Sequence, residues 1–226
     1  MRRPPSVVLF AVLAAGCGSS PLAPDPTETC SGFGEWQASP YVLPYAVGAS
    51  YFVDQGNCSP PGNGHRGVTK FGYDFLMPIG TPIYAARGGL VTQAEESHFD
   101  GQVAATGVDN LIVIQHDDGT TTLYGHLTHD GAVVSVGERV LQGALVGYSG
   151  NTGNTNNKPH LHLSAASCDP FAVGTANCPT LPMNFRNTEA NPRGLQQGRS
   201  YTALASERRM GGLGGQPPRD MERGGW

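Results

Sequence analysis

Charge is scarce in this chain of 226 residues: 14% of them are Asp, Glu, Lys or Arg, and no basic stripe forms. Aromatic residues are not interleaved with cations, and the formal net charge is −4. Both absences argue against nucleic acid as a partner. No long hydrophobic run is present. The apolar stretch from Val7 to Ala15 falls well short of the roughly 20 residues a membrane-spanning helix needs. No two cysteines have C-x-x-C spacing, which argues against a zinc-thiolate motif. No internal repeat is evident. No window of helical length carries a 3.6-residue apolar stripe ahead of the polar C-terminal stretch, so helices are not expected to build the fold. The G-x-S-x-G elbow is also missing. Ser149 sits in GYSGN, without the second glycine, so a serine-nucleophile reading is weak.

What is present starts with an export signal. Arg2 and Arg3 precede the short apolar run, and Ala14, Ala15 and Gly16 lead into Cys17. This layout resembles a bacterial lipoprotein processing site, although Leu13 stands four residues before the cysteine and not the usual three. Residues 1–16 are therefore expected to be a signal peptide. Residues 17–29, with three prolines and two serines, are expected to be a tether lipidated at Cys17. The implied location is the cell envelope, membrane-anchored on the periplasmic or outer side, or otherwise secreted. Four cysteines remain: Cys30, Cys58, Cys168 and Cys178. An even number in an exported chain suggests two disulfides. The short Cys168–Cys178 loop is the easiest closure, and Cys30–Cys58 would then pin the N-terminal segment. Four cysteines still allow three pairings.

Residues 30–190 read as one β-rich domain with its core at 60–168. Cys30 to Gly64 suggests an N-terminal wrap without a clear helix. Strands are expected at GYDFLM, on either side of the glycines in IYAARGGLVTQAEE, at LIVIQH, at TTLYGHL and at HLHLSA. HDDGT reads as a hairpin turn, because Asp118-Gly119 tolerates positive φ. Short strands punctuated by glycine imply a compact, mainly antiparallel β-sheet fold with few or no helices. Residues 191–226 hold six arginines and many glycines and read as a largely disordered tail, with SYTAL (200–204) as a last ordered piece.

Chemistry concentrates in histidine. In KPHLHLSA, His160 and His162 stand two apart, so a strand would aim both imidazoles to one face and Leu161 and Leu163 into a core. Asp74 lies between Tyr73 and Phe75 in an apolar strand, where a carboxylate is costly to bury without compensation. His65 lies in the glycine-rich loop GNGHRG. His126 ends LYGHL, with Tyr124 on its face by the period of two. His98, His116 and His129 neighbour turns or acidic residues and are expected at the surface. The bland alternatives are a solvated loop histidine, a turn-capping aspartate and satisfied core histidines. Two imidazole nitrogens and a carboxylate oxygen, with solvent in the fourth position, make a catalytic Zn²⁺ site. A nearby histidine can take a proton from water, and a second can donate to a developing oxyanion. Periodicity alone does not separate His160 from His162 as the ligand.

Three blocks extend the pattern: HRGVTKFGYDFLMPIGTPIYAARGGLV, LIVIQHDDGTTTLYGHL and VSVGERVLQGALVGYSGNTGNTNNKPHLHLSA. Together they resemble the LytM/lysostaphin-type zinc endopeptidases of peptidase family M23, which cut peptide bonds in bacterial peptidoglycan. The resemblance implies that family's antiparallel β fold and one Zn²⁺ per chain, held by His65, Asp74 and His162. It also implies His160 as general base or proton shuttle, His126 as oxyanion stabiliser and SGNTGNTNN as a groove wall. Eight residues separate His65 from Asp74, where the commonest family pattern has three. The expected function is an exported, monomeric endopeptidase acting on stem peptides or cross-bridges. The alternative is a catalytically inactive envelope-binding or amidase-activating module of the same fold.

Overall fold

The computed structural model describes residues 30–59, 64–65, 67–101, 109–171 and 178–205. In chain order the strands are β1 (Ser50–Gln55), β2 (Tyr73–Leu76), β3 (Pro82–Tyr84), β4 (Gly89–Glu95), β5 (Leu111–Gln115), β6 (Thr121–Gly125), β7 (Leu127–Ala132), β8 (Arg139–Val140), β9 (Leu145–Ser149), β10 (His160–Ala166), β11 (Thr180–Leu181) and β12 (Ser200–Thr202). Two 3₁₀ turns, Trp36–Ala38 and Gly67–Thr69, are the helical elements among the described residues. The fold is mainly antiparallel β and helix-poor, as its sequence pattern requires.

A nine-stranded sheet runs β12-β1-β2-β10-β6-β5-β4-β8, with β11 on β10, and a three-stranded sheet runs β3-β9-β7. One buried apolar cluster joins them: Tyr73, Phe75, Ile112, Ile114, Leu161 and Leu163 from the large sheet meet Ile83, Leu127 and Val146 from the small one. The alternation in β2 and β10 decides what faces the core. Tyr73, Phe75, Leu161 and Leu163 are fully buried there. Register pairs Leu163 with Tyr73, Leu161 with Phe75 and His162 with Asp74. The intervening Asp74, His160 and His162 are thereby placed together on the opposite face. The β5–β6 hairpin turns at Gly119, whose φ is 81°, and Arg87 pairs with Asp118 beside it at 2.8 Å.

Disulfides join Cys30 to Cys58 and Cys168 to Cys178. Several sequence expectations need correction. Strand β1 lies within the stretch read as an irregular wrap; its polar Ser50, Asp54 and Gln55 hide the signal, and the strand is stabilised by pairing with β2 and β12. Residues 191–199, assigned to a largely disordered tail, pack with the SYTAL stretch that was expected to be ordered. Asn191, Leu195, Tyr201 and Ala203 are buried, and Tyr45 donates its hydroxyl to the Tyr201 carbonyl at 2.8 Å. His116 is buried, not at the surface. The expected signal peptide, the Cys17 tether and the end of the tail lie outside the described residues.

Candidate metal centre and active site

Asp74 and His162 face each other across the β2–β10 ladder, so strand pairing alone brings a carboxylate to an imidazole. His162 Nδ1 is 2.9 Å from Asp74 Oδ1. His65 arrives from the preceding loop, with Nε2 at 3.2 Å from Asp74 Oδ1 and 3.1 Å from His162 Nδ1. Residues 67–73, which make up the described part of the stretch between His65 and Asp74, form a compact turn and the start of β2. Gly67–Thr69 forms a 3₁₀ turn, and Gly72 N–H donates to the Thr69 carbonyl at 3.0 Å, folding the extra length back toward the sheet. Gly72 also supplies room: a Cβ there would stand 2.9 Å from His162 Cε1 and 3.1 Å from the His65 ring. On the other side, His65 Nδ1 lies 3.4 Å from the Gly56 carbonyl, two residues before disulfide-bonded Cys58.

These three donor atoms suit one small cation. Tetrahedral ligands about 2.0–2.1 Å from a zinc ion stand roughly 3.3 Å from one another, close to the 2.9–3.2 Å found here. Two nitrogens and a carboxylate oxygen are the donor chemistry of a mononuclear metal site. Asp74 is 4% exposed, so its charge must be neutralised within the cluster. Burial alone would raise its pKa, but hydrogen bonds from His162 and His65 outweigh this and hold it far below the usual carboxylate range. Burial pushes His162 down. In His65 burial acts the same way, but the Asp74 hydrogen bond prevails and the net shift is upward.

Two further histidines flank the cluster. His160 Nδ1–H donates to the Lys158 carbonyl at 2.7 Å, leaving Nε2 3.7 Å from Asp74 Oδ2. His126 packs its ring 4.6 Å from that of His160 and 6.0 Å from that of His162, centroid to centroid. The expectation that Tyr124 shares the face of His126 is corrected. Tyr124 points into the core and donates no part of itself to the site; its hydroxyl oxygen accepts from Ala86 N–H at 2.7 Å. His126 departs from strand alternation because its φ is +62°, which turns the imidazole to the cluster side. Burial opposes the charged form of His126, but Asp109 more than compensates and raises its pKa; burial lowers that of His160.

All five expected side chains therefore meet at one place. Ser149 does not take part: its buried hydroxyl donates to the Pro78 carbonyl at 2.7 Å. Sequence reasoning missed the support behind His126. His126 Nδ1–H donates to the Thr152 carbonyl at 2.8 Å, and Thr152 Oγ1 in turn accepts from Asn110 N–H at 3.0 Å and donates to the Leu127 carbonyl at 2.8 Å. Asp109 lies 3.5 Å from His126 Nδ1. The signal available was a polar pair, Asp109-Asn110, set directly before the apolar run LIVIQ. A cavity of about 510 Å³ shares Asp109 with the site and is lined also by Glu95, Leu111, Asn154 and Phe171.

The family model described as peptidase family M23 matches residues 68–170. The peptidoglycan DD-endopeptidase ShyA of Vibrio cholerae is 40% identical over 91 residues, which are 40% of this chain and 19% of that protein. The chain belongs to peptidase family M23. Lysostaphin of Staphylococcus simulans, a second relative, is 33% identical over 116 residues, 51% of this chain and 22% of its own length. The M23 chain thus spans about a fifth of the length of these curated relatives. A solved lysostaphin catalytic domain from Staphylococcus simulans is 31% identical over 52% of this chain and 78% of that one, with a TM-score of 0.38. The family model begins after His65, so the placement of that residue rests on the geometry above.

Proposed function

We propose that the protein is an exported zinc metalloendopeptidase that hydrolyses peptide bonds in the stem peptides or cross-bridges of bacterial peptidoglycan. The observation that carries this reading is the convergence of His65 Nε2, Asp74 Oδ1 and His162 Nδ1 within 3.2 Å of one another, with His160 and His126 alongside. Membership in a peptidase family supports it, as does the peptidoglycan endopeptidase activity named for ShyA. Lipidation at Cys17 would hold the enzyme at a membrane beside the wall.

In this reading His65, Asp74 and His162 hold one zinc ion. Bound there, zinc supplies Lewis acidity that acidifies a water molecule and polarises the scissile carbonyl. His160, with Nδ1–H committed to Lys158, keeps Nε2 free to take a proton from the attacking water and to pass one to the leaving amine. His126, with Nδ1–H committed to Thr152, acts on the oxygen on which negative charge develops by donating a second ring hydrogen from Nε2, in the charged form that Asp109 favours. Asp74 balances the local charge and orients both ligand rings. The presence of all five side chains at one place weighs against the inactive-module alternative.

The test is digestion of defined cross-linked muropeptides by the zinc-loaded protein, read by mass spectrometry, with metal content measured on the same sample. About one zinc per chain and product masses from a single peptide-bond cleavage are expected. A folded, zinc-loaded protein that leaves a broad panel of muropeptides intact overturns the reading.

A further inference from the structure

His126 is held in an uncommon way. Its backbone is in the left-handed region, where a non-glycine residue is strained, and persists only if neighbours over-determine it. Those neighbours meet at one ring nitrogen. Nδ1 lies 2.8 Å from the Thr152 carbonyl oxygen and 3.5 Å from Asp109 Oδ1. Two acceptors at one nitrogen require that nitrogen to carry the hydrogen, which leaves Nε2 as the atom open to a ligand. His160 has the carbonyl but no such carboxylate at its Nδ1.

Asp109 is itself fixed by the loop that follows β9. Gly153 has a φ of +74°, and a Cβ at that position would land on the Asp109 carboxylate. The loop therefore accepts the carboxylate because residue 153 is glycine. The same loop contributes the Thr152 carbonyl, so Asp109 ties together the ring of His126 and the backbone that grips it.

We propose that Asp109 is a positioning residue: its carboxylate, seated on Gly153, locks the ring orientation of His126 and holds a hydrogen on its Nδ1, so that Nε2 is the nitrogen turned to the site. This rests on the peptidase reading given above for the use His126 makes of its Nε2, and adds to it the group that aims it. The contact Asp109 makes with the site is with the His126 ring, 3.5 Å from Nδ1, so it acts through His126.

The experiment uses the zinc-loaded full chain labelled with ¹⁵N in its histidine rings. Long-range ring correlations of His126 are expected to show hydrogen at Nδ1 in the wild type and a mixture of ring states in Asp109→Ala, with one zinc per chain retained in both. On a muropeptide substrate, kcat of Asp109→Ala is expected to fall on the order of 10- to 100-fold, the range typical of orienting partners, with KM little changed. In a His126→Ala background the Asp109→Ala substitution is expected to have no further effect. A wild-type His126 with hydrogen at Nε2 and bare Nδ1 overturns the proposal, and so does a full additional loss in the His126→Ala background. The wild-type ring measurement stands even where Asp109→Ala fails to fold. It also needs no substrate, so a protein that cleaves no muropeptide sinks the peptidase reading while the ring states still decide the role of Asp109.

Discussion

His116 and His162 are attached to the same nine-stranded sheet, and their surroundings could hardly differ more. His116 Nδ1–H donates to the Gly88 carbonyl at 2.9 Å, and Nε2 accepts from Thr122 Oγ1 at 2.6 Å. A neutral imidazole has one donor and one acceptor, so His116 is complete as it stands. His162 Nδ1 instead points at a carboxylate oxygen and a second imidazole nitrogen, both within 3.1 Å. Lone pairs converge there, and protons on the rings or one cation must neutralise them. Burial does not separate a structural histidine from a working one. What separates them is whether the ring nitrogens find complementary partners in the chain.

The sharpest way to break this contrast is to remove the carboxylate. Asp74→Asn keeps the shape and deletes the charge, so metal content is expected to fall from about one per chain to near zero. Loss of a group that merely orients a ligand costs 10- to 100-fold in metal affinity or activity, so peptide cleavage is expected to drop by more than about 100-fold. Metal analysis and product masses check both. A variant that keeps its metal would remove Asp74 from the site.

Next in size is His160→Ala. A positioned proton-transfer group contributes on the order of 10²- to 10⁴-fold, so kcat/KM is expected to fall by that range while metal content stays near one per chain. This outcome would distinguish His160 from His162, whose replacement by alanine is expected to remove metal and activity together.

The reverse experiment addresses the satisfied histidine. His116→Ala leaves the Gly88 carbonyl and the Thr122 hydroxyl without their buried partner. That costs about 1–3 kcal/mol per orphaned group, read as a lower midpoint in urea unfolding. Metal content and the rate per folded, metal-loaded molecule should not change. A His116 variant that loses metal would erase the distinction between the two regions.

The same contrast explains what the sequence made legible. The period-2 alternation in HLHLSA put His160 and His162 on one face and that in YDFL set Asp74 between core aromatics, because the leucines and aromatics are unambiguous core residues, while the β2–β10 register joins the two. Cysteine spacing gave the short Cys168–Cys178 closure for a similar local reason. Two readings failed where long-range partners decide. His116 stands next to Asp117 and Asp118 and so reads as a surface residue, but Gly88, just before β4, and Thr122, in β6, satisfy both ring nitrogens in the interior. Tyr124 and His126 read as sharing a face, but a left-handed φ at His126 breaks the alternation. Strand β12 was legible as SYTAL, yet the packing of Asn191 and Leu195 against the body of the fold was hidden by their polar, glycine-containing surroundings. Asp109 gave no periodic signal, since its role depends on a loop more than 40 residues away in sequence reaching back to it.

The smallest expected effect is also the finest probe of His116. Burial lowers its pKa below the ordinary 6.5, against a weaker upward pull from its bond to the Gly88 carbonyl. The unfolded chain therefore takes up a proton at this position at a higher pH than the folded one. By linkage, the stability contributed by neutral His116 is fully present above about pH 6.5 and is lost as the pH falls below that value toward the folded-state pKa. The slope from one such proton is at most about 1.4 kcal/mol per pH unit. Other histidines titrate in the same range, so the quantity to follow is the difference between the wild type and His116→Gln, both stripped of metal with a chelator. Glutamine does not titrate, so its stability deficit relative to the wild type is expected to narrow between pH 7.5 and 5.5 in denaturant unfolding. A deficit that holds constant or widens would mean that His116 is not kept neutral by its pocket, and that its two hydrogen bonds do not distinguish it from the histidines gathered around Asp74.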